Sequence, residues 1–469
     1  MRGTRRALVV VGALLVGGRA SAQGYGLNEM SSCSIARGFA TTATPCDDGS
    51  YIHWNPAAGT QLRGKVLGVG GTGISIDGAF TQDRTRQRFD AQVPVQVPPH
   101  LFASYRYSPR VALGLGVYVP YGLTSEWGED FPGRFIARRA TLQAITAQPT
   151  VSIDLIPGQF AIGAGVVINR TAVGLEQAID LSSTTARAAQ GATPAVTFGQ
   201  LGVPAGTEFA RANIDGNAFG YGFNVGARWT PDAAWSVGAR YLSRVDVAID
   251  GGDARFRQVS TGLVLPRNNP LGAPGGTTID QLVAPQFAGT GALTAQSASA
   301  TIALPDQLSV GVAYTGVANT TLSADVIRFG WQAFETLPLD FANAATPDRE
   351  LIEDYAASWS VRGGAERRYS NGWIVRGGLS WTQSPAPDAT VTPLLPDMDR
   401  RNYSVGLGIP LSGLGTRWRL DASYLFVDTD GRRGRVVERM ARTETADQLN
   451  GGVYTLRAHI ASLTLRAAW

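Results

Sequence analysis

At 469 residues the chain could hold about three domains on length alone, but 57 glycines and a charged fraction of only 17% favour one large repetitive architecture over a string of soluble domains. Beyond residue 20 no apolar run reaches the roughly 18 residues of a membrane helix, and 10 Trp, 14 Tyr and 17 Phe carry too much apolar surface for disorder. A net charge of +4, with no basic run or charged tail, gives no reason to expect a nucleic-acid partner.

Residues 1–22 read as an export signal. Arg2, Arg5 and Arg6 precede the apolar stretch from Ala7 to Gly17, and Ala20-Ser21-Ala22 supplies the small-x-small cleavage pattern, which makes Gln23 the mature start. Cys33 and Cys46, the only cysteines, lie with twelve residues between them just beyond it. In an oxidising compartment they can pair, closing a loop worth roughly 3 kcal/mol. A redox or metal site is the competing reading, weakened by the absence of a Cys-x-x-Cys spacing.

From residue 64 to 469 apolar residues recur at every second position, the strand period. In one segment Phe219, Tyr221, Phe223, Val225, Ala227 and Trp229 alternate with Gly220, Gly222, Asn224, Gly226 and Arg228. Fourteen such segments are predicted, among them 99–108, 110–122, 217–230, 234–250, 304–315 and 453–469. Tight turns such as Ser108-Pro109-Arg110 and Ser370-Asn371-Gly372 alternate with long loops such as 176–216 and 251–303. That alternation, with Tyr107, Tyr118, Trp229, Trp235 and Trp373 near strand ends, fits an all-β, 14-stranded antiparallel transmembrane β-barrel in the outer membrane of a Gram-negative bacterium. A soluble sandwich is the alternative, but in hydrocarbon only a closed sheet pairs every backbone group. The terminal Trp469, preceded by Ala467, Leu465, Leu463 and Ala461, resembles the signal read by the barrel-assembly machinery. Tyr454, Leu456 and Ile460 break that parity, which predicts either a bulge near residues 458–461 or a last strand that begins later than residue 453.

The run from Gly24-Tyr25-Gly26-Leu27-Asn28-Glu29-Met30, through Ala36-Arg37-Gly38 and Asp47-Asp48, to Trp54-Asn55-Pro56-Ala57-Ala58 closely resembles the opening of the FadL/TodX family of outer-membrane transporters for long-chain fatty acids and hydrophobic compounds. A second block, Pro120-Tyr121-Gly122-Leu123-Thr124-Ser125-Glu126-Trp127, followed by Gly133-Arg134-Phe135 and Gln148-Pro149-Thr150, looks like the third and fourth strands of that family. The resemblance implies a hatch (plug) over residues 23–63 inside a barrel of residues 64–469, with Asn55, Pro56 and Ala57 as the hatch motif. It also implies an inward kink at Pro120, Tyr121 and Gly122 that opens the wall sideways. Proline cannot donate to a strand ladder, so a break in pairing is expected there on physical grounds as well.

What the resemblance implies for function is passive uptake of long-chain fatty acids or similar hydrophobic molecules, without catalysis, cofactor or metal. Importers of aromatic hydrocarbons in the same family, and a general hydrophilic porin, are the alternatives. Phe198, Leu201 and Phe287 in the long loops are candidates for first capture of ligand beyond the lipopolysaccharide. Arginine outnumbers lysine so far that Lys65 stands alone, and a planar guanidinium suits a carboxylate head group. Arg106, Arg228 and Arg240 point inward by parity and are ligand candidates, as is Arg170, whose position resembles a family ligand arginine although its parity faces lipid. Partners are then the hydrophobic ligand, outer-membrane lipid and lipopolysaccharide, and a monomer is expected. Only His53, His100 and His459 are present, outside any triad pattern.

Overall fold

The computed structural model describes residues 24–188, 195–269, 271–411, 417–434 and 450–469. Twenty strand segments join in one antiparallel sheet and form fourteen staves. These are β1 (Lys65–Gln82), β2 (Pro99–Arg106, with the outer piece Arg88–Asp90), β3 (Val111–Glu126), β4 (Arg139–Ile156), β5 (Phe160–Asp180), β6 (Glu208–Trp229) and β7 (Trp235–Leu242, then Val245–Gln258). The remainder are β8 (Gln296–Leu304 and Gln307–Val317), β9 (Thr320–Phe329 and Thr336–Phe341), β10 (Arg349–Ile352 and Ser358–Arg368), β11 (Ile374–Thr382), β12 (Arg400–Leu411), β13 (Arg417–Thr429, with Arg432–Gly434 beyond) and β14 (Gly452–Ala468). β14 returns to pair with β1 from Val66↔Ala468 to Gln82↔Gly452, closing the cylinder.

The large apolar residues lie on the outside, inverting the burial of a soluble sheet. On β6, Phe219, Tyr221, Phe223, Val225 and Trp229 are exposed while Asn224 is fully buried in the lumen, as expected for a wall solvated by lipid. The predicted bulge in β14 does not occur: its ladder with β1 is unbroken, and Tyr454 and Ile460 are buried facing inward. They are apolar because they line a luminal cavity, so a true inward face looks like a parity error. Several staves also run further outward than the alternation predicts. β6 begins at Glu208, β7 reaches Gln258 and β8 begins at Gln296. Above the bilayer neither face meets lipid, and the period-two contrast fades.

Residues 24–61 fold within the cylinder as two short helices, α1 (Ser32–Ala36) and α2 (Tyr51–Trp54), followed by a 3₁₀ turn over Pro56–Gln61. Ser31 caps α1 through its side chain. Cys33 and Cys46 are disulfide-bonded, with Cα atoms 6.1 Å apart. The wall accommodates this segment by presenting glycine to it. A Cβ on Gly68 would stand 2.2 Å from the Asp48 carbonyl oxygen, and one on Gly238 2.3 Å from that of Thr42. Polar side chains fasten the close contacts: Thr41 and Thr42 N–H both donate to Asp325 at 2.8 Å, and Gln148 donates to the Ile52 carbonyl at 2.6 Å.

Candidate ligand passage: the third-strand kink and the luminal cavities

β3 pairs with β4 in register from Val111↔Ile153 to Tyr118↔Thr146 and resumes at Tyr121↔Ala144, so Val119 and Pro120 together oppose the single residue Ile145. The extra residue turns β3 inward, and Val119, Pro120 and Tyr121 are all buried. On the other side β2 offers no ladder above Leu101↔Val117. Pro94, Pro98 and Pro99 occupy that stretch, and none has an N–H to give.

The first described residues fill the vacant edge. Leu27 N–H donates to the Pro120 carbonyl at 2.8 Å, and Gly122 N–H donates to the Tyr25 carbonyl at 2.9 Å. Gly26 forms a bridge opposite Tyr121. A Cβ on Gly122 would lie 2.7 Å from the Leu27 Cδ1, so a side chain there would push the Leu27 tip aside. Tyr25 and Tyr121 hydroxyls donate to the carbonyls of Ala303 and Pro305 at 2.6 and 2.8 Å, tying the segment to the opposite wall. Sequence reasoning reached Pro120, Tyr121 and Gly122 but not their partner Tyr25-Gly26-Leu27. The prolines at 94, 98 and 99 were the available signal.

Two cavities flank this segment. One, of about 790 Å³, is lined by Tyr25, Leu142, Leu175, Ile249, Phe334, Leu337 and other apolar groups. The second, of about 990 Å³, lies against β1 and β14 and adds Glu29, Asp397 and Arg400 to an apolar lining that includes Ile76, Trp127, Leu456 and Ile460. Leu123 and Leu395 line both. A third, of about 260 Å³, sits behind the kink against Tyr118, Pro120 and Tyr121.

The inward arginines have other duties. Arg240 donates to Asn224 and Gln307 at 3.2 and 3.0 Å, and Arg228 to the Ala43 carbonyl and Ser236 at 3.0 and 2.8 Å. Arg106 donates to the Ser108 carbonyl at 2.9 Å in the turn before β3. None of the three lines any of these three cavities. Arg170 is exposed on the outer wall and bonds Asn217 at 2.9 Å, which places it with the lipid-facing parity. Asn55 bridges hatch and wall: its Oδ1 accepts from Ala57 N–H at 3.1 Å, and its Nδ2 donates to the carbonyls of Thr42 and Ala227 at 2.8 and 3.1 Å. Pro56 begins the 3₁₀ turn, where its missing N–H costs nothing.

Outside, the long loops pack into an apolar cap of Leu181, Phe198, Phe209, Leu265, Ile279 and Val283, with Leu201 and Phe287 half-buried at its edge. Phe198 is therefore interior to the cap, and Leu201 and Phe287 are the more accessible of the three capture candidates. Arg134 and Arg211 meet Glu208 at 3.2 and 2.8 Å beneath it. Deeper in the outer extension, Glu353 is buried and neither carboxylate oxygen has a hydrogen-bond partner among the described residues. Burial pushes its pKa up to about 8. Burial, then the neighbouring Asp397, pushes Asp399 up to about 7.

Residues 13–467 match the family model for outer membrane protein transport proteins (OMPP1/FadL/TodX). The chain is 24% identical over 419 residues to the long-chain fatty acid transport protein of Escherichia coli K12, covering 86% of this chain and 87% of that one. A Pseudomonas aeruginosa FadL homologue superposes with a TM-score of 0.75 at 20% identity, over 95% of this chain and all of the other. The Pseudomonas putida toluene transporter TodX does so with a TM-score of 0.67 at 16% identity, over 95% and 99%. With a model match spanning nearly its whole length, the chain belongs to the OMPP1/FadL/TodX family of outer-membrane transport proteins.

Proposed function

We propose that the protein takes up small hydrophobic molecules of the long-chain fatty acid or aromatic hydrocarbon kind by passive movement, and releases them sideways through the wall at the β3 kink. The observation that carries this reading is the placement of Tyr25-Gly26-Leu27 between the apolar cavities and the unpaired edge of β3. The apolar loop cap first collects ligand outside the lipopolysaccharide. Each methylene removed from water is worth about 0.8 kcal/mol, so a greasy track binds without chemistry. From the 790 Å³ cavity the path to the bilayer is barred by two backbone hydrogen bonds of the leading segment, a barrier that can open without unfolding the barrel.

The test is to replace Pro120 by Val and Gly122 by Thr, restoring strand character to β3. Uptake of a radiolabelled fatty acid or toluene into cells is expected to fall while binding to detergent-solubilised protein persists. Undiminished uptake would remove the kink from the path.

A further inference from the structure

A second break in the wall stands away from β3. β6 and β7 pair from Trp229↔Val237 to Asn224↔Leu242, then again from Asp215↔Asp253 to Ala210↔Gln258. Between these ladders residues 216–223 of β6 face residues 243–252 of β7, two more on the β7 side. Phe223 and Ser243 are joined at the lower end, Phe223 N–H to Ser243 Oγ and Ser243 N–H to the Phe223 carbonyl, both 2.9 Å. From Gly216 to Gly222 no backbone hydrogen bond crosses to β7 among the described residues.

Side-chain contact alone fills this seam. β7 bows inward and stays paired with β8, from Val245↔Leu304 to Ile249↔Ala300. Val245, Val247 and Ile249 are buried in the same apolar cluster as Tyr25 and Phe334. They lie on backbone that has no side chain to offer: a Cβ on Gly220 would be 2.5 Å from Val245, and one on Gly216 2.6 Å from Ile249. Outside, Phe219 and Tyr221 on the lip of the seam are 57% and 68% exposed.

Both inner faces of the seam are cavity walls. Gly216, Ile249 and Gly252 line the 790 Å³ cavity. Leu242, Ser243 and Val245 line the small one behind the kink. With a strand rise of about 3.3 Å and a tilt near 40°, the seam begins roughly 18 Å above the Trp229 girdle, at the level of the outer leaflet. Unpaired backbone at that depth is tolerated only where it borders a cavity or protein.

We propose that the β6–β7 seam is a second lateral passage, through which hydrophobic ligand exchanges between the luminal cavity and the outer leaflet by parting Val245, Val247 and Ile249 from β6. The inference rests on the reading that the cavity holds hydrophobic ligand. A bromoalkane dissolved in lipid vesicles is mixed with reconstituted protein, and the amount retained after rapid detergent extraction is followed by mass spectrometry. In the kink-closed variant (Pro120→Val, Gly122→Thr) loading is expected to continue, and to be lost when oxidised Gly220→Cys and Val245→Cys staple the seam, but not with either cysteine alone. Because the staple also alters packing at Gly220, Val245→Ala with Val247→Ala provides the opposite perturbation, and loading should quicken. Loss of loading by kink closure alone, or rates indifferent to both staple and thinning, would overturn the passage. If wild-type protein loads nothing, the cavity reading itself fails.

Discussion

Single residues on the luminal face mostly do structural work. Arg376 is buried between Glu366 and Asp421 at 2.7 and 2.6 Å, and Arg419 reaches from Asp421 to Asp47 of the hatch at 2.8 and 2.6 Å. Arg376→Met leaves Glu366 with Arg368 alone and Asp421 with Arg419 alone, and losing these buried charge-assisted contacts is expected to cost about 1.5–3 kcal/mol. The measurement is the temperature at which the folded band disappears on a denaturing gel, which should fall. Glu353 provides a pH test. Its neutral form is favoured inside, so the stabilisation is complete below the ordinary carboxylate range and is lost as pH rises toward about 8. Wild-type melting temperature should decline between pH 5 and 8.5, and Glu353→Gln should flatten that decline. Equal slopes would mean the carboxyl is not neutral in the fold. Strand parity located inward arginines such as Arg228 and Arg240 correctly on the luminal side, yet parity carries no information about partners. Hatch and wall meet only in three dimensions.

At the scale of elements, the membrane-crossing part of each stave was legible because lipid on one face enforces alternation, as in β6 from Phe219 to Trp229. The outer extensions, such as Glu208–Ile214, were not, since both of their faces leave the lipid. The β3 kink was visible through Pro120, whereas the seam between β6 and β7 was not: Gly216, Gly220 and Gly222 look like ordinary inward-facing small residues in a strand. The hatch is the other element with its own prediction. Its disulfide closes a loop spanning 13 positions, worth roughly 3 kcal/mol in the chain-entropy model. Replacing both cysteines by alanine should raise hydrogen exchange across residues 32–47 while leaving the β1–β14 ladder protected. If hatch exchange is unchanged, wall contacts alone define its fold.

The whole molecule is a closed cylinder with apolar residues outside, a polar and arginine-rich lower lumen occupied by its own leading segment, and apolar cavities above that segment. Closure follows from the need to pair backbone groups in hydrocarbon, and the glycine-faced wall lets the hatch lie close against the staves. The break in β3, Tyr25-Gly26-Leu27 beside it and the cavities share one level of the barrel, an arrangement suited to moving ligand sideways rather than straight through. In the proposed function, hydrophobic molecules occupy those cavities. Mass spectrometry of organic extracts from protein purified directly out of outer membranes tests it most directly. Fatty acids or aromatic hydrocarbons should be recovered in proportion to protein, and in smaller amounts when Leu142 and Phe334 are replaced by Asp. Extracts free of such molecules, with sugars permeating reconstituted vesicles instead, would contradict it.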